Sequence, residues 1–84
     1  MRLVSGSKGL RALSSLAPGE HGTVQRVQAH TGDRIDRLMA LGVTAGAPVT
    51  VLQTFPGIVF LCDQTELAVE RAVADTILVK LAEG

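Results

Sequence analysis

The sequence predicts a mainly β protein: a small, partly open barrel of five strands with one short α-helix in the first long connection. Two observations carry this prediction. Short apolar segments recur along the chain after residue 20, separated by turns that contain Gly, Pro or Asp. A single segment, residues 33–42, instead combines helical spacing with start and stop signals at its two ends. With 84 residues, 46% of them hydrophobic, the chain is expected to form one domain, 1–84.

The N-terminal region is expected to contribute little regular structure. Residues 1–9 are mostly small and polar, and we expect them to be flexible. The spacing of the leucines that follow predicts a single helical turn over residues 12–16, with Leu13 and Leu16 packed on the core. A Pro-Gly dipeptide that ends at Gly19 then predicts a turn.

The strands are predicted from short apolar stretches bounded by turn residues. The first covers 21–29, where Val24 and Val27 stand three apart, so a bulge between them is expected to turn both side chains inward. Turns are expected at Gly46 and Gly57. The other strands are expected over 48–55, 58–62, 66–70 and 76–81, with one helical turn over 70–75.

Residues 33–42, DRIDRLMALG, predict a helix over 33–41 with both ends encoded in the sequence. Asp33 is a favourable N-cap, because its carboxylate can accept hydrogen bonds from the N–H groups of the first turn. Gly42 suits the left-handed residue that follows many helices, where a side chain costs roughly 1–2 kcal/mol. The apolar stripe of the helix is expected to comprise Ile35, Leu38, Met39 and Leu41.

The polar face of this helix carries Arg34 and Arg37. Charges on such a face are usually only solvated, but Arg and Met are enriched at protein interfaces. Arg34, Arg37 and Met39 are therefore candidates for a partner-binding surface. Arg37 also follows Asp33 at i,i+4, a spacing worth roughly 0.2–0.5 kcal/mol in an isolated helix. We expect the helix to close one open end of the barrel and to present its outer side to a partner.

The strand 58–62, IVFLC, is apolar on both faces. Val59 and Leu61 point away from the side that Phe60 shares with its neighbours at i±2. Because a strand of a small barrel normally has one wet face, we expect the helix to cover the second face. The alternative is that a partner or a second copy covers it, as a docking site or a homodimer interface. Val59 and Leu61 are therefore further partner-binding candidates.

The charge and aromatic content disfavour nucleic acid as a partner. Eight basic and eight acidic residues cancel, whereas nucleic-acid modules usually have a basic excess that neutralises phosphates. Two Phe and no Trp or Tyr leave few rings on which bases could stack. A single helix in a neutral chain is also not a helix-turn-helix.

Catalysis finds little support in the sequence, and no cofactor is predicted. The single cysteine, Cys62, lies in an apolar strand, where an inert buried thiol is the favoured interpretation. One cysteine and the lack of a signal-peptide pattern predict a cytoplasmic protein. The longest apolar run, 58–62, is far too short to cross a bilayer, so direct membrane insertion is not expected.

Metal binding is predicted at most as a weak property. His30 and Asp33 flank the predicted helix start and are weak candidate ligands for a divalent ion. The sequence contains no His-x₃-His or Cys-x₂-Cys pair, which a local chelate would supply. An exposed loop histidine beside a capping aspartate is the favoured interpretation, so no functional metal site is predicted.

Four segments together resemble the FeoA family, the small cytoplasmic proteins of bacterial ferrous-iron uptake. They are LSSLAPGEHGTV (13–24), RIDRLMALGVTAG (34–46), VTVL (49–52) and ELAVERAVADTILV (66–79). The helix followed by Leu-Gly-hydrophobic-x-x-Gly is the most specific of these features. The resemblance implies an SH3-like barrel and a non-enzymatic adaptor that binds and modulates the cytoplasmic part of the ferrous-iron transporter FeoB.

Two positions depart from the pattern of that family. Ala45 stands where proline is usual, and Glu70 stands where many members carry arginine, which affects any charge-dependent contact near that strand. The same fold also occurs as the C-terminal domain of DtxR-type iron-dependent repressors. A stand-alone metal-responsive regulatory module is therefore the alternative function.

Overall fold

The computed structural model describes residues 10–28 and 32–82. Residues 1–9, which we expected to be flexible, and His30 lie outside this part of the chain. The elements in chain order are β1 (Leu10–Ala12), a 3₁₀ turn (Leu13–Ser15), β2 (His21–Val27), α1 (Gly32–Ala40), β3 (Pro48–Gln53), β4 (Ile58–Cys62), β5 (Thr65–Val69), α2 (Arg71–Ala74) and β6 (Ile77–Leu81).

All described strands belong to one antiparallel sheet with the order β1-β6-β2-β3-β4-β5. The sheet has one apolar face that encloses the core, and β1 and β5 are its two open edges. The main helix lies between β2 and β3, in the first long connection. The predicted mainly β, partly open SH3-like fold is therefore confirmed.

The predicted number of five strands is wrong, because β1 is a sixth. Leu10 pairs with Lys80 and Ala12 with Leu78 in β6. The leucines have helical spacing, but residues Leu10–Ala12 form a strand and the 3₁₀ turn covers only Leu13–Ser15. A strand of three residues is too short to show an alternating pattern, so its only determinant is the distant β6. The predicted turn itself is confirmed.

The predicted bulge in β2 is confirmed. Val24 pairs with Val79 and Arg26 pairs with Leu78, so Gln25 is an extra residue on its strand. The bulge brings Val24 fully inside, with 1% of its surface exposed, while Val27 is half-buried against the core. The strand ends earlier than the predicted residue 29.

The core is built from the inner faces of the strands, the two leucines of the N-terminal turn, one residue from each of α1 and α2, and the segment after α1. Phe60 is its largest fully buried side chain and lies at the centre of β4. The alternation predicted for the last strand places Ile77 and Val79 inside, while Leu81 is half-buried. The buried apolar residues are Leu13, Leu16, Val24, Leu38, Val43, Val49, Val51, Ile58, Phe60, Cys62, Ala74, Ile77 and Val79.

Helix α1 ends in a Schellman motif centred on Gly42. The N–H of Gly42 donates to the carbonyl of Met39 at 3.0 Å, and the N–H of Val43 donates to the carbonyl of Leu38 at 2.9 Å. Gly42 has φ 93°, in the left-handed region, as the sequence pattern predicts. Leu38 and Val43 are both buried, which completes the apolar contact typical of this motif.

The start of α1 and its apolar stripe differ from the prediction. The helix begins at Gly32, so Asp33 lies in the first turn and is not the N-cap. Leu38 alone of the predicted stripe is buried, while Met39 and Leu41 are 54% and 45% exposed. The Schellman motif explains this, because it turns Val43 into the core space beside Leu38 that a longer stripe would occupy.

The tight turns use residues with unusual backbone conformations. Gly19 and Gly46 have φ of 93° and 92°, and Asp63 in the β4–β5 hairpin has φ 59°. The loop between β3 and β4 contains a cis peptide bond before Pro56. Gly57, which follows it, has no left-handed backbone; instead, a Cβ there would lie 3.2 Å from the carbonyl oxygen of Val69.

Replacement of Gly42 tests the helix end. A Cβ at Gly42 would meet no atom within 4 Å, so the penalty is conformational. We expect Gly42→Val to lower the free energy of unfolding by more than about 1–2 kcal/mol, because β-branching adds to the left-handed penalty. Gly42→Asn, whose side chain tolerates this region, should be much milder. Urea denaturation measures both; equal stability of Gly42→Val and wild type would contradict the motif.

Replacement of Gly22 tests the close approach of β2 to β6. A Cβ at Gly22 would lie 2.1 Å from the carbonyl oxygen of Lys80, which is backbone and cannot rotate away. We expect Gly22→Ala to destabilise the fold by about 1–3 kcal/mol, typical of overpacking. Gly32→Ala, where the space is open, is the matched control and should be neutral or stabilising. Equal thermal stability of the two variants would show that the strands are not so close.

Candidate functional site

A groove of about 450 Å³ lies between α1, β5 and α2. We call it the α1–β5 groove. One of its walls is the exposed side of α1, and another is β5, an edge strand of the sheet. Its lining residues are Asp33, Arg34, Arg37, Leu38, Leu41, Ala68, Val69, Glu70 and Val73.

The groove has an apolar base and a charged rim. Leu38 is buried, Val69 and Val73 are half-buried against the core, and Leu41 is 45% exposed. The rim carries both signs of charge, with Asp33, Arg34 and Arg37 on the helix and Glu70 between β5 and α2. Such a surface can take an apolar side chain while it orients neighbouring charges of a ligand.

Arg37 is the cation of this rim whose side chain is available to a ligand. Within residues 10–28 and 32–82 its side chain makes no hydrogen bond or ion pair. The predicted i,i+4 ion pair between Asp33 and Arg37 is therefore not formed. Arg34 lines the same groove, so the structure brings the two predicted arginines together.

Met39 lies on the other side of α1 from the arginines. It lines a second groove of about 200 Å³, beside β2 and the turn after the helix. The lining residues of this α1–β2 groove are Gln25, Arg26, Val27, Ile35, Met39, Val43, Thr44 and Ala45. Helix α1 thus lies between two grooves, and the predicted surface that joined Met39 to the arginines is divided by the helix itself.

The helix does not cover the outer face of β4, so the expectation for Val59 and Leu61 is wrong. Leu38 belongs to the same core as Phe60 and Cys62, on the inner face of the strand. Val59 and Leu61 point to the opposite face and are half-buried. The physical reason is that Leu38 of the helix and Val43 directly after it belong to the core on the inner face of β4. The helix is therefore held on the inner side of this strand and leaves its outer face uncovered.

Two exposed apolar residues near that face were not singled out from the sequence. Phe55, in the β3–β4 loop, is 80% exposed, and Leu52, at a bulge in β3, is 42% exposed. An aromatic residue before a Pro-Gly turn was the available signal for Phe55. The structure does not place either residue in the α1–β5 groove.

Cys62 is a buried thiol, as the sequence predicts. Its side chain is 2% exposed, and its S–H donates to the carbonyl oxygen of Gly42 at 3.4 Å. Burial raises the pKa of the thiol above its ordinary value, and the charge of neighbouring Asp63 raises it further. The thiol therefore stays protonated at neutral pH, which makes it a poor nucleophile and a poor metal ligand.

The structure describes only one of the two weak metal candidates of the sequence, Asp33. Among the His, Cys, Asp and Glu side chains of the described residues, no group of three or more is placed to hold a metal ion. Asp33 lies in the α1–β5 groove, and His30 lies outside the described residues, so their shared site stays a prediction. No helix in residues 10–28 or 32–82 is long and apolar enough to cross a membrane.

Arg71 holds the α2 wall of the groove in place, a role that the sequence pattern did not indicate. Its guanidinium donates to the carbonyl of Ser14 at 3.4 Å and to the carbonyl of Thr54. The hydroxyl of Ser14 in turn donates to the carboxylate of Asp75. These bonds tie α2 to the 3₁₀ turn and to the β3–β4 loop.

The chain matches a known family model over nearly all the residues described above. The model of the FeoA domain matches residues 11–81. A comparison with curated protein sequences found no significant match.

Solved structures with the same fold include FeoA proteins and a repressor. FeoA of Chlorobium tepidum is 35% identical, with a TM-score of 0.74 over 84% of this chain and 70% of its own. FeoA of Stenotrophomonas maltophilia, described as a prokaryotic SH3 domain protein and crystallised with zinc, is 22% identical, with a TM-score of 0.72 over 80% of this chain and 86% of its own. A manganese-dependent transcriptional repressor is 22% identical and has a TM-score of 0.80, over 87% of this chain but 42% of its own.

The last two similarities concern the fold alone. The family model covers residues 11–81, which include α1 with its glycine stop and all the residues of the α1–β5 groove. The chain belongs to the FeoA family.

Proposed function

We propose that this protein is a non-enzymatic cytoplasmic adaptor of bacterial ferrous-iron uptake that binds and modulates a FeoB-like transporter. Membership of the FeoA family supports the link to iron transport. The similar protein of Stenotrophomonas maltophilia has been put forward as an activating factor of bacterial ferrous iron transport. The observation that carries the proposal is the α1–β5 groove, whose apolar base and charged rim suit a protein ligand.

The groove is suited to contact with a partner for two physical reasons. Leu41 is already exposed at its edge, so its burial by a partner would gain hydrophobic free energy. Arg37 would gain a carboxylate partner without breaking a bond within the described chain. A partner that offers an apolar side chain beside an acidic one therefore fits this surface.

A second candidate is a metal-responsive regulatory module. The likeness to the manganese-dependent transcriptional repressor, with a TM-score of 0.80, favours it. That likeness spans 42% of the repressor, and it concerns the fold alone. Direct titration with Fe²⁺ and Mn²⁺ separates this candidate from the adaptor, because a regulatory module must bind its metal reproducibly.

The double variant Arg34→Glu, Arg37→Glu tests the adaptor. Both side chains are exposed, so the interaction that Arg34 makes is a surface one, and its loss should change the free energy of unfolding by roughly 1 kcal/mol or less. We expect binding to the purified cytoplasmic part of the FeoB-like transporter to weaken at least tenfold. Biolayer interferometry would show slower association for rim contacts and faster dissociation for central ones.

The control is Arg26→Glu, Lys80→Glu, which makes the same change of charge on exposed side chains outside the α1–β5 groove. It should bind nearly as wild type does. Wild-type kinetics of the Arg34, Arg37 variant would exclude this groove, and the outer face with Val59 and Leu61 would be tested next. Failure of the wild-type chain to bind, together with reproducible metal affinity, would favour the regulatory module.

A further inference from the structure

The two edges of the sheet are not equivalent. The edge strand β1 has three residues and leads directly into the 3₁₀ turn. The other edge strand, β5, pairs with β4 along all five of its residues without a register shift. Natural edge strands are usually protected by shortness, bulges or proline. By these criteria β1 is protected, whereas β5 presents a regular, unprotected edge.

The free hydrogen-bonding groups of β5 are the backbone amides and carbonyls of Glu66 and Ala68. The two-residue turn after Cys62 makes Cys62 and Thr65 the hydrogen-bonded closing pair of the hairpin. Along β5, the N–H and C=O groups of successive residues then point alternately toward β4 and away from it. The carbonyl of Val69 points toward β4, because it lies 3.2 Å from the Cβ position of Gly57. The groups of Ala68, one residue earlier, therefore point away from the sheet.

These free groups lie beside the α1–β5 groove. Ala68 lines the groove and is exposed, and its small side chain permits a close approach of another backbone. Within the described part of the chain, no other element forms a backbone hydrogen bond with Glu66 or Ala68. The free groups of Ala68 thus lie in the groove and those of Glu66 continue the same edge beyond it, next to an apolar base and the available Arg37.

We infer that the partner binds by strand addition: an extended segment of the transporter's cytoplasmic part pairs with the β5 edge inside the α1–β5 groove. Backbone donors and acceptors in a row select an extended chain, because a helix has already satisfied its own. Side chains on alternate positions of that segment reach the apolar base at Leu41 and Val73. A carboxylate on the segment binds Arg37, while Asp33 and Glu70 disfavour a segment that is acidic throughout.

This inference rests on the proposed function, and amide hydrogen exchange tests it separately. The probe is the purified cytoplasmic part of the FeoB-like transporter at saturating concentration. Exchange is followed by NMR on the ¹⁵N-labelled full chain. Strand addition predicts that the amides of Glu66 and Ala68 exchange at least tenfold more slowly in the complex, because they become donors in the new ladder.

Three other outcomes are distinguishable, and each contradicts the strand addition, the adaptor or the assigned occupant of the groove. Binding without protection of Glu66 and Ala68 overturns strand addition but leaves the adaptor in place. Absence of binding overturns both proposals. Protection that instead rises with the concentration of the free chain, with a dimer in sedimentation, overturns the assigned occupant and shows that a second copy pairs with β5.

The variant Ala68→Pro gives an independent readout. Proline removes the N–H that points away from β4, so the ladder within the sheet keeps its bonds, and edge strands tolerate such a proline. We expect at least a tenfold loss of affinity for the same probe. Ala68→Ser keeps the N–H and the small size, so it should bind as wild type does. If Ala68→Pro does not fold, the hydrogen-exchange measurement on the wild-type chain still decides.

Discussion

The turn that ends α1 is the constraint on which the rest of the site depends. Gly42 takes a left-handed conformation, and the bond from the Val43 amide to the Leu38 carbonyl reverses the chain. Leu38 and Val43 then enter the core together, while the carbonyl of Gly42 accepts a hydrogen bond from the thiol of Cys62. The C-terminal end of the helix is thereby fixed to the inner face of β4, and its two sides remain open as grooves.

This attachment explains how a small neutral domain obtains the α1–β5 groove, the surface that we propose for a partner. The helix contributes Arg37, the sheet contributes its free β5 edge, and α2 contributes an apolar wall at Val73. Arg71 keeps that wall in place by bonds to two carbonyls of distant segments. Because the sheet is not closed, the β5 edge stays open beside the groove, which supports the proposed contact with a partner.

Features set by neighbouring residues could be predicted from the sequence, whereas those set by distant pairing could not. Gly42 and the bulge at Gln25 follow from local conformational and spacing rules. Strand β1 depends on β6, about seventy residues later, and three residues carry no pattern of their own. Arg34 and Arg37 share one helix face and line one groove, but Ala68 and Glu70, which line it with them, come from a distant segment and could not be assigned to it from the sequence.

Helix α1 faces the core through Leu38 and leaves Met39 and Arg37 on opposite open sides. Solvent paramagnetic relaxation enhancement of methyl groups, with a soluble gadolinium chelate, tests this most directly in the unmodified protein. The structure predicts little broadening of the Leu38 methyls, which are 3% exposed, and strong broadening of the Met39 methyl, which is 54% exposed. The reverse pattern would mean that the helix is rotated on the core, and that the α1–β5 groove is not the surface described.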